Sequence, residues 1–98
     1  MNLYLLRART DLPRIENPAV NPWEPWYDKA FGFVVAARDE RDARLVIHEA
    51  DGGTESDTQP GDEGSGAWTD DRFSTCVCIG TTTTDVPRGV ILRDFMSA

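Results

Sequence analysis

The stretch FGFVVAARDERDARLVIHEA, residues 31–50, decides the fold, because a strand pattern in it runs directly into a helix pattern. Over residues 31–37 both alternating sets are apolar, which is typical of a strand that is covered on both faces or paired on both edges. Asp39 then stands where a side chain caps a helix. The apolar residues after it recur at steps of three and four, as on one helix face: Ala43, Val46, Ile47 and Ala50. The stretch predicts a central strand followed by a helix that lies on the sheet.

Three other segments have the composition of strands. They are residues 3–8 (LYLLRA), 75–80 (TCVCIG) and 89–96 (GVILRDFM). The order is therefore strand, strand, helix, strand, strand. These lengths predict an α+β fold with a mostly antiparallel four-stranded sheet, one helix packed on a face, and long loops.

The length of 98 residues predicts a single domain over residues 1–98 with two unusual loops. Residues 51–66 (DGGTESDTQPGDEGSG) contain no large apolar side chain, so we expect a mobile acidic loop there. Residues 11–29 include four prolines, which prevent a regular helix or strand, and three aromatic residues, which argue against disorder. We expect this second loop to be packed.

The net charge of -7 restricts the partners of the chain. An acidic surface repels phosphate backbones, so the charge argues against direct nucleic-acid binding and favours basic or apolar partners. No segment approaches the roughly 18 apolar residues of a membrane span, and the N-terminus lacks the features of a signal peptide. We therefore expect a cytoplasmic protein without membrane contact. The sequence leaves the formation of a homo-oligomer open.

No residue pattern predicts a catalytic or metal centre. The acidic residues after position 56 lack the spacing of a calcium loop, and the lone His48 is predicted on the helix surface. Cys76 and Cys78 stand two apart in a strand and are predicted to be reduced core thiols that cannot form a zinc site by themselves. We expect neither enzymatic activity nor a cofactor.

The segment NPWEPWYDK, residues 21–29, is the best candidate for a binding site. A loop stiffened by proline can present flat aromatic rings to a nucleobase or to an anchor residue of a partner at little entropic cost. The structural alternative is that two of its aromatic residues cap a small core, and we expect one tryptophan to be buried and one exposed. The predicted ligand-binding residues are Trp23, Trp26, Tyr27, Asp28, Lys29, Trp68 and Arg72.

Several of these segments together resemble small proteins that are encoded by bacteriophages and in prophage regions of bacterial genomes. The resemblance rests on NPWEPWYDKAFGFVVAARDE, on GDEG at residues 61–64 with Trp68, on STC at residues 74–76 and on GVILRDF at residues 89–95. It implies no catalytic residue, because that group carries no assigned activity. It implies a context, since short acidic phage proteins often neutralise a host defence system.

Two classes of function follow as hypotheses. The first is a non-catalytic protein in the host cytoplasm that sequesters a nucleotide-like immune signal through the aromatic loop and one or more arginines. The second is an acidic inhibitor that binds a basic surface of a host defence protein by imitating nucleic acid, or an interaction protein with no ligand. A concave pocket with arginines would favour a small ligand, whereas a convex acidic face would favour a protein.

Overall fold

The structure is a computed structural model that describes residues 1–17, 19–26, 29–51 and 65–96. In chain order its elements are β1 (Asn2–Ala8), β2 (Lys29–Ala37), α1 (Glu40–Asp51), α2 (Ser65–Thr69), β3 (Ser74–Thr81) and β4 (Gly89–Met96). The predicted α+β class and element order are confirmed, and the short helix α2 is an addition to them.

All four strands form one antiparallel sheet. Strand β1 pairs with β2 and β3, and β2 pairs with β4, so the spatial order is β3-β1-β2-β4. The N-terminal strand therefore lies inside the sheet. Strand β2 is paired along both edges, which is one of the two alternatives that the apolar pattern of residues 31–37 left open.

Helix α1 begins with the predicted cap. The Asp39 carboxylate accepts a hydrogen bond from the backbone N–H of Asp42 at 2.8 Å, which satisfies one of the amides that a helix start leaves without an intrahelical partner. Glu40 and Asp42 place negative charge in the positive first turn. His48 is exposed on this helix, as predicted.

The core lies between the two helices and one face of the sheet. Tyr4 and Leu6 of β1 and Phe33 and Val35 of β2 belong to a buried cluster with the apolar residues of the helices, which are Ala43, Val46, Ile47, Ala67 and Trp68. Because side chains alternate along a strand, the intervening residues of β1 and β2 point to the other face. We call that second face, on the side away from the helices, the open face.

The proline-rich loop is packed over residues 21–23 but exposed over residues 13–17, so the prediction of a packed loop holds for its second half only. Asn21, Pro22 and Trp23 are buried, and the Asn21 side chain donates to the carbonyl oxygen of Pro13 at 2.9 Å. Residues 52–64 of the predicted acidic loop lie outside the described residues. The first residue of this loop, Asp51, belongs to α1, and its last two residues, 65 and 66, belong to α2. No described helix is long and apolar enough to cross a membrane.

Candidate functional site

Two of the predicted binding residues, Trp23 and Trp68, belong to the core. Trp23 is 1% exposed and Trp68 is 7% exposed, and their rings touch at a centroid distance of 4.9 Å. The Trp23 indole N–H donates to the carbonyl oxygen of Phe73 at 2.8 Å. The Trp68 ring also meets the ring of Phe33 edge to face at 5.1 Å. Neither ring presents an uncovered face on which a base could stack.

Trp26 is the more accessible tryptophan of the aromatic loop. It is half-buried, and its ring stacks on Phe31 at a centroid distance of 4.5 Å. Its indole N–H donates to a carboxylate oxygen of Glu24 at 3.0 Å. The expected division into one buried and one exposed tryptophan therefore appears as one fully buried and one partly covered ring.

The remaining predicted site residues do not converge on one place. Tyr27 and Asp28 lie outside the described residues, and Lys29 opens β2 with only its backbone described. Arg72 is exposed, but its guanidinium is held by the carboxylate of Asp70 at 2.6 Å, which keeps the pKa of Asp70 below its usual range. The assignment of these residues to a ligand stays a prediction.

The open face carries a continuous row of aliphatic side chains. Leu5 lies opposite Val77 of β3 and Val34 of β2, and Val34 lies opposite Leu92 of β4. Side chains of directly opposed residues project to the same side of a sheet. One aliphatic side chain from each of the four strands therefore stands in a line across the sheet. We call this line the aliphatic row, and its members are Val77, Leu5, Val34 and Leu92.

The two outer members of this row are strongly exposed. Leu92 is 63% exposed and Val77 is 55% exposed, whereas the inner Leu5 and Val34 are half-buried. Ile79 of β3 and Ile91 of β4 have no directly opposed residue, because each lies at an irregularity of the strand pairing. Each of them is 51% exposed. Exposed apolar side chains that stand singly are ordinary on a protein surface, but a contiguous patch typically marks an interaction site.

A second row beside the aliphatic row carries two opposite charges. Arg7 of β1 lies opposite Gly32 of β2, and Gly32 lies opposite Asp94 of β4. A Cβ atom added to Gly32 would lie 3.7 Å from the Cβ atom of Asp94, so both positions face the same side. Because Gly32 has no side chain, the sheet has a shallow depression here of about 230 Å³, which is lined by Leu5, Arg7, Gly32, Phe33, Val34, Leu92 and Asp94.

The two charges of this row are not paired with each other. Within the described ranges, neither the Arg7 guanidinium nor the Asp94 carboxylate makes a hydrogen bond or an ion pair. Most other arginines of those ranges have a carboxylate partner, for example Arg9 with Asp11 at 2.8 Å. Arg7 and Asp94 are therefore available to a partner on the open face.

A larger cleft lies between α1 and α2. It measures about 870 Å³ and is lined mainly by polar and charged residues, which are Glu40, Arg41, Arg44, Leu45, Thr69, Asp70 and Asp71. Arg44 is buried and Asp70 is bonded to Arg72, so both groups already stabilise the fold. The lining of the cleft is more polar than the lining of the depression on the open face.

The cysteines and acidic residues provide no reactive centre in the described ranges. Both cysteines are free, Cys76 is half-buried and Cys78 is exposed, so the prediction of a core thiol is wrong for Cys78. The reason is that β3 is an edge strand, which has a neighbouring strand on one side only. Burial, with the nearby Glu40 carboxylate, raises the pKa of Cys76 to about 11. No three His, Cys, Asp or Glu residues of these ranges are grouped as metal ligands.

Sequence reasoning placed the binding site in the aromatic loop and missed the open face. A signal was present, since the second alternating set of the central strand, Gly32, Val34 and Ala36, is small or apolar. The pattern by itself does not distinguish a strand that is covered on both faces from one that is paired on both edges. Only the pairing register shows that Val34 stands in line with apolar residues of the three other strands.

In comparisons with known proteins, the chain matches no family, no curated protein and no solved structure. Its class is therefore given by its own features: a small acidic α+β protein whose sheet has one face packed on helices and a second face with exposed aliphatic side chains on both edge strands.

Proposed function

We propose that this protein is a binding protein without catalytic activity, and that it docks a protein partner on the open face of its sheet. The observation that carries the proposal is the aliphatic row, which runs unbroken across four strands and ends in two strongly exposed side chains. Burying exposed aliphatic surface is the main favourable term in most protein associations, at about 25 cal/mol per Å² of apolar area.

The polar groups of the open face support the same function. Interfaces combine an apolar centre with a polar rim that fixes the orientation of the partner. Here Arg7 and Asp94 stand next to Leu5 and Leu92 and are unpaired in the described part of the chain. A partner that covers the aliphatic row could therefore accept hydrogen bonds from Arg7 and donate them to Asp94.

The sequestration of a nucleotide-like signal remains the second hypothesis. Among the described tryptophans it depends on Trp26, because the Trp23 and Trp68 rings are packed in the core. The Trp26 ring has one face stacked on Phe31. Base stacking on an aromatic platform contributes about 1 to 3 kcal/mol per base, and Trp26 would have to supply it alone or with residues outside the described ranges.

The phage context and the anti-defence role are also proposals. An inhibitor that occupies a host defence protein needs a surface that can bury apolar area, and the open face supplies one. The acidic residues between 51 and 64 would add attraction to a basic rim on such a partner.

Site-specific photo-cross-linking in cells that produce the protein tests the docking proposal. A photoreactive residue is placed at Leu92 on the open face or, as a matched control, at Leu45, an exposed leucine on α1. The captured protein is identified, purified and titrated against the wild-type chain, Leu92→Lys and Leu45→Lys. We expect capture at position 92 only, and a loss of affinity of at least about tenfold in Leu92→Lys alone.

Two results would contradict the proposal. One is equal capture at positions 45 and 92, or a captured protein whose affinity for Leu92→Lys equals that for the wild type. The other is a nucleotide that raises the melting temperature of the wild type but not of Trp26→Ala, without any protein captured at position 92. That second result would establish the small-ligand hypothesis instead.

A further inference from the structure

The open face has a symmetry that suggests a specific partner. On the open face, three rows of directly opposed residues cross β1, β2 and β4, one after another along the strand direction. They are Arg7, Gly32 and Asp94 in the first row, Leu5, Val34 and Leu92 in the second, and Leu3, Ala36 and Gly89 in the third. In each row the residues on β1 and β4 are complementary: a cation with an anion, leucine with leucine, and a large residue with a glycine.

We propose that the open face binds a second copy of this chain, related by a two-fold axis that runs along β2. This inference rests on the proposed function, since it names the occupant of the same surface. A rotation of 180° about such an axis places β1 of one copy over β4 of the other at the same level. Contacts across a two-fold axis are reciprocal, so every favourable pair occurs twice.

The charges support a second copy in particular. With the axis above Gly32, the Arg7 guanidinium of each copy faces the Asp94 carboxylate of the other copy. Within one copy the two residues stand two strands apart, roughly 10 Å, and do not pair. The chain carries a net charge of -7, which opposes self-association in general. On the described open face, however, Arg7 and Asp94 offset each other.

The apolar rows fit the same axis. Leu5 of each copy faces Leu92 of the other, and Val34 faces its own equivalent on the axis. Leu3 faces Gly89, where the missing side chain leaves room for it. Aligned sheets pack about 10 Å apart with interdigitated side chains, a spacing that two layers of leucine and valine fill.

The size of the overlap predicts how strong the dimer is. Three strands of about seven residues cover roughly 350 Å² of sheet per copy, at the usual strand spacings. Standard stable interfaces bury roughly 800 Å² per partner. The dimer should therefore be weak and should form as the protein concentration rises.

Reversal of the charges at Arg7 and Asp94 tests the proposal. The full chain is studied in sedimentation velocity experiments. The samples are the wild type, Arg7→Asp, Asp94→Arg, an equimolar mixture of these two variants, and Arg41→Asp as a control on the exposed side of α1. In each single variant alone, both ion pairs of the dimer become pairs of like charges. In the mixed dimer every acidic side chain faces a basic one again.

We expect the wild type and Arg41→Asp to have similar dissociation constants for the dimer. Arg7→Asp alone and Asp94→Arg alone should each lose at least about tenfold in affinity. The mixture should return to within roughly threefold of the wild type. A partner other than a second copy cannot produce this recovery. Circular dichroism checks that the variants are folded, and Arg7→Gln with Asp94→Asn, each expected to weaken the dimer less, replaces any variant that is not.

Three results would overturn the inference: a wild type that stays monomeric up to millimolar concentration, single variants that dimerise like the wild type, or folded single variants whose mixture does not recover. A monomeric wild type together with capture of a different protein at position 92 would overturn the second copy but leave the proposed function intact. Absence of both would overturn the two proposals together.

Discussion

Arg44 of α1 donates hydrogen bonds to both the hydroxyl oxygen and the backbone carbonyl oxygen of Ser74, at 2.8 and 3.2 Å. It also donates to the carbonyl oxygen of Trp68 at 3.0 Å. Arg44 is 7% exposed and Ser74 is fully buried. A single guanidinium thus links α1, α2 and the start of β3, and it compensates the cost of its own burial by pairing with these oxygens.

Replacement of Arg44 by Met should lower the free energy of unfolding by about 3 kcal/mol. The change keeps the volume of the side chain but leaves the carbonyl oxygens of Ser74 and Trp68 without their donor. Arg41→Met is the matched control on the exposed side of α1 and should alter stability by about 0.5 kcal/mol or less. Equal losses in urea denaturation of the two variants would show that the buried hydrogen bonds contribute nothing.

The Asp42 carboxylate should make stability depend on acid pH. A hydrogen bond from the Arg88 guanidinium at 2.9 Å, together with the backbone N–H of Arg38, holds the pKa of Asp42 well below its usual range. In the unfolded chain the pKa of this carboxyl group is about 3.9. Because the folded pKa is the lower one, the stabilisation is complete above about pH 5 and is lost as the pH falls toward the folded pKa.

The measurement is the melting temperature of the wild type, Asp42→Asn and Arg88→Gln between pH 7 and pH 2.5. Both variants should melt below the wild type by a constant difference above about pH 5, and the difference should shrink as the pH falls below about 4. A difference that stays constant down to pH 2.5 would be incompatible with this ion pair.

The two thiols should differ in reactivity. Cys78 is exposed, whereas burial raises the pKa of Cys76 to about 11, so Cys76 remains protonated at pH 8 and the thiolate is the nucleophile. Alkylation by iodoacetamide at pH 8 should be at least about tenfold slower in Cys78→Ser than in Cys76→Ser. Equal rates of the two variants would mean that Cys76 is not covered.

Neighbouring valines of β2 should differ in their contribution to stability. Val35 is fully buried under α1, while Val34 lies half-buried on the open face. We expect Val35→Ala to lower the free energy of unfolding by about 1 to 4 kcal/mol, because it leaves a cavity. Val34→Ala should cost about 1 kcal/mol or less at low protein concentration. The reverse order in chemical denaturation would mean that the two faces are wrongly assigned.

The sequence predicts the elements of this fold well, because each has a local signature. The alternation of residues 31–37, the cap at Asp39 and the step of three and four residues after it are properties of neighbouring residues. The short helix α2 has no such signature, since it consists of five residues that begin with Ser65 and Gly66. Its position depends on contacts of Trp68 with distant parts of the chain.

The candidate site could not be predicted, because it arises only from the pairing of strands. Leu5, Val34, Val77 and Leu92 are far apart in the sequence and become neighbours through the order β3-β1-β2-β4. Apolar residues on both faces of a strand do not reveal which face the helix covers. In the same way, the aromatic loop does not reveal that Trp23 and Trp68 stabilise the core together.

The most direct measurement for the central claim is the accessibility of individual methyl groups in solution. A soluble gadolinium chelate enhances the relaxation of methyl protons that it can approach, and the spectra are recorded from low micromolar to millimolar protein. We predict that the methyl groups of Leu5, Val34 and Leu92 relax quickly in the dilute protein and become protected as the concentration rises, while those of Leu45 on α1 stay accessible throughout. Methyl groups of the aliphatic row that remain accessible at the highest concentration would contradict the claim that a second copy covers the open face. Methyl groups that are protected at every concentration would contradict the predicted weak dimer.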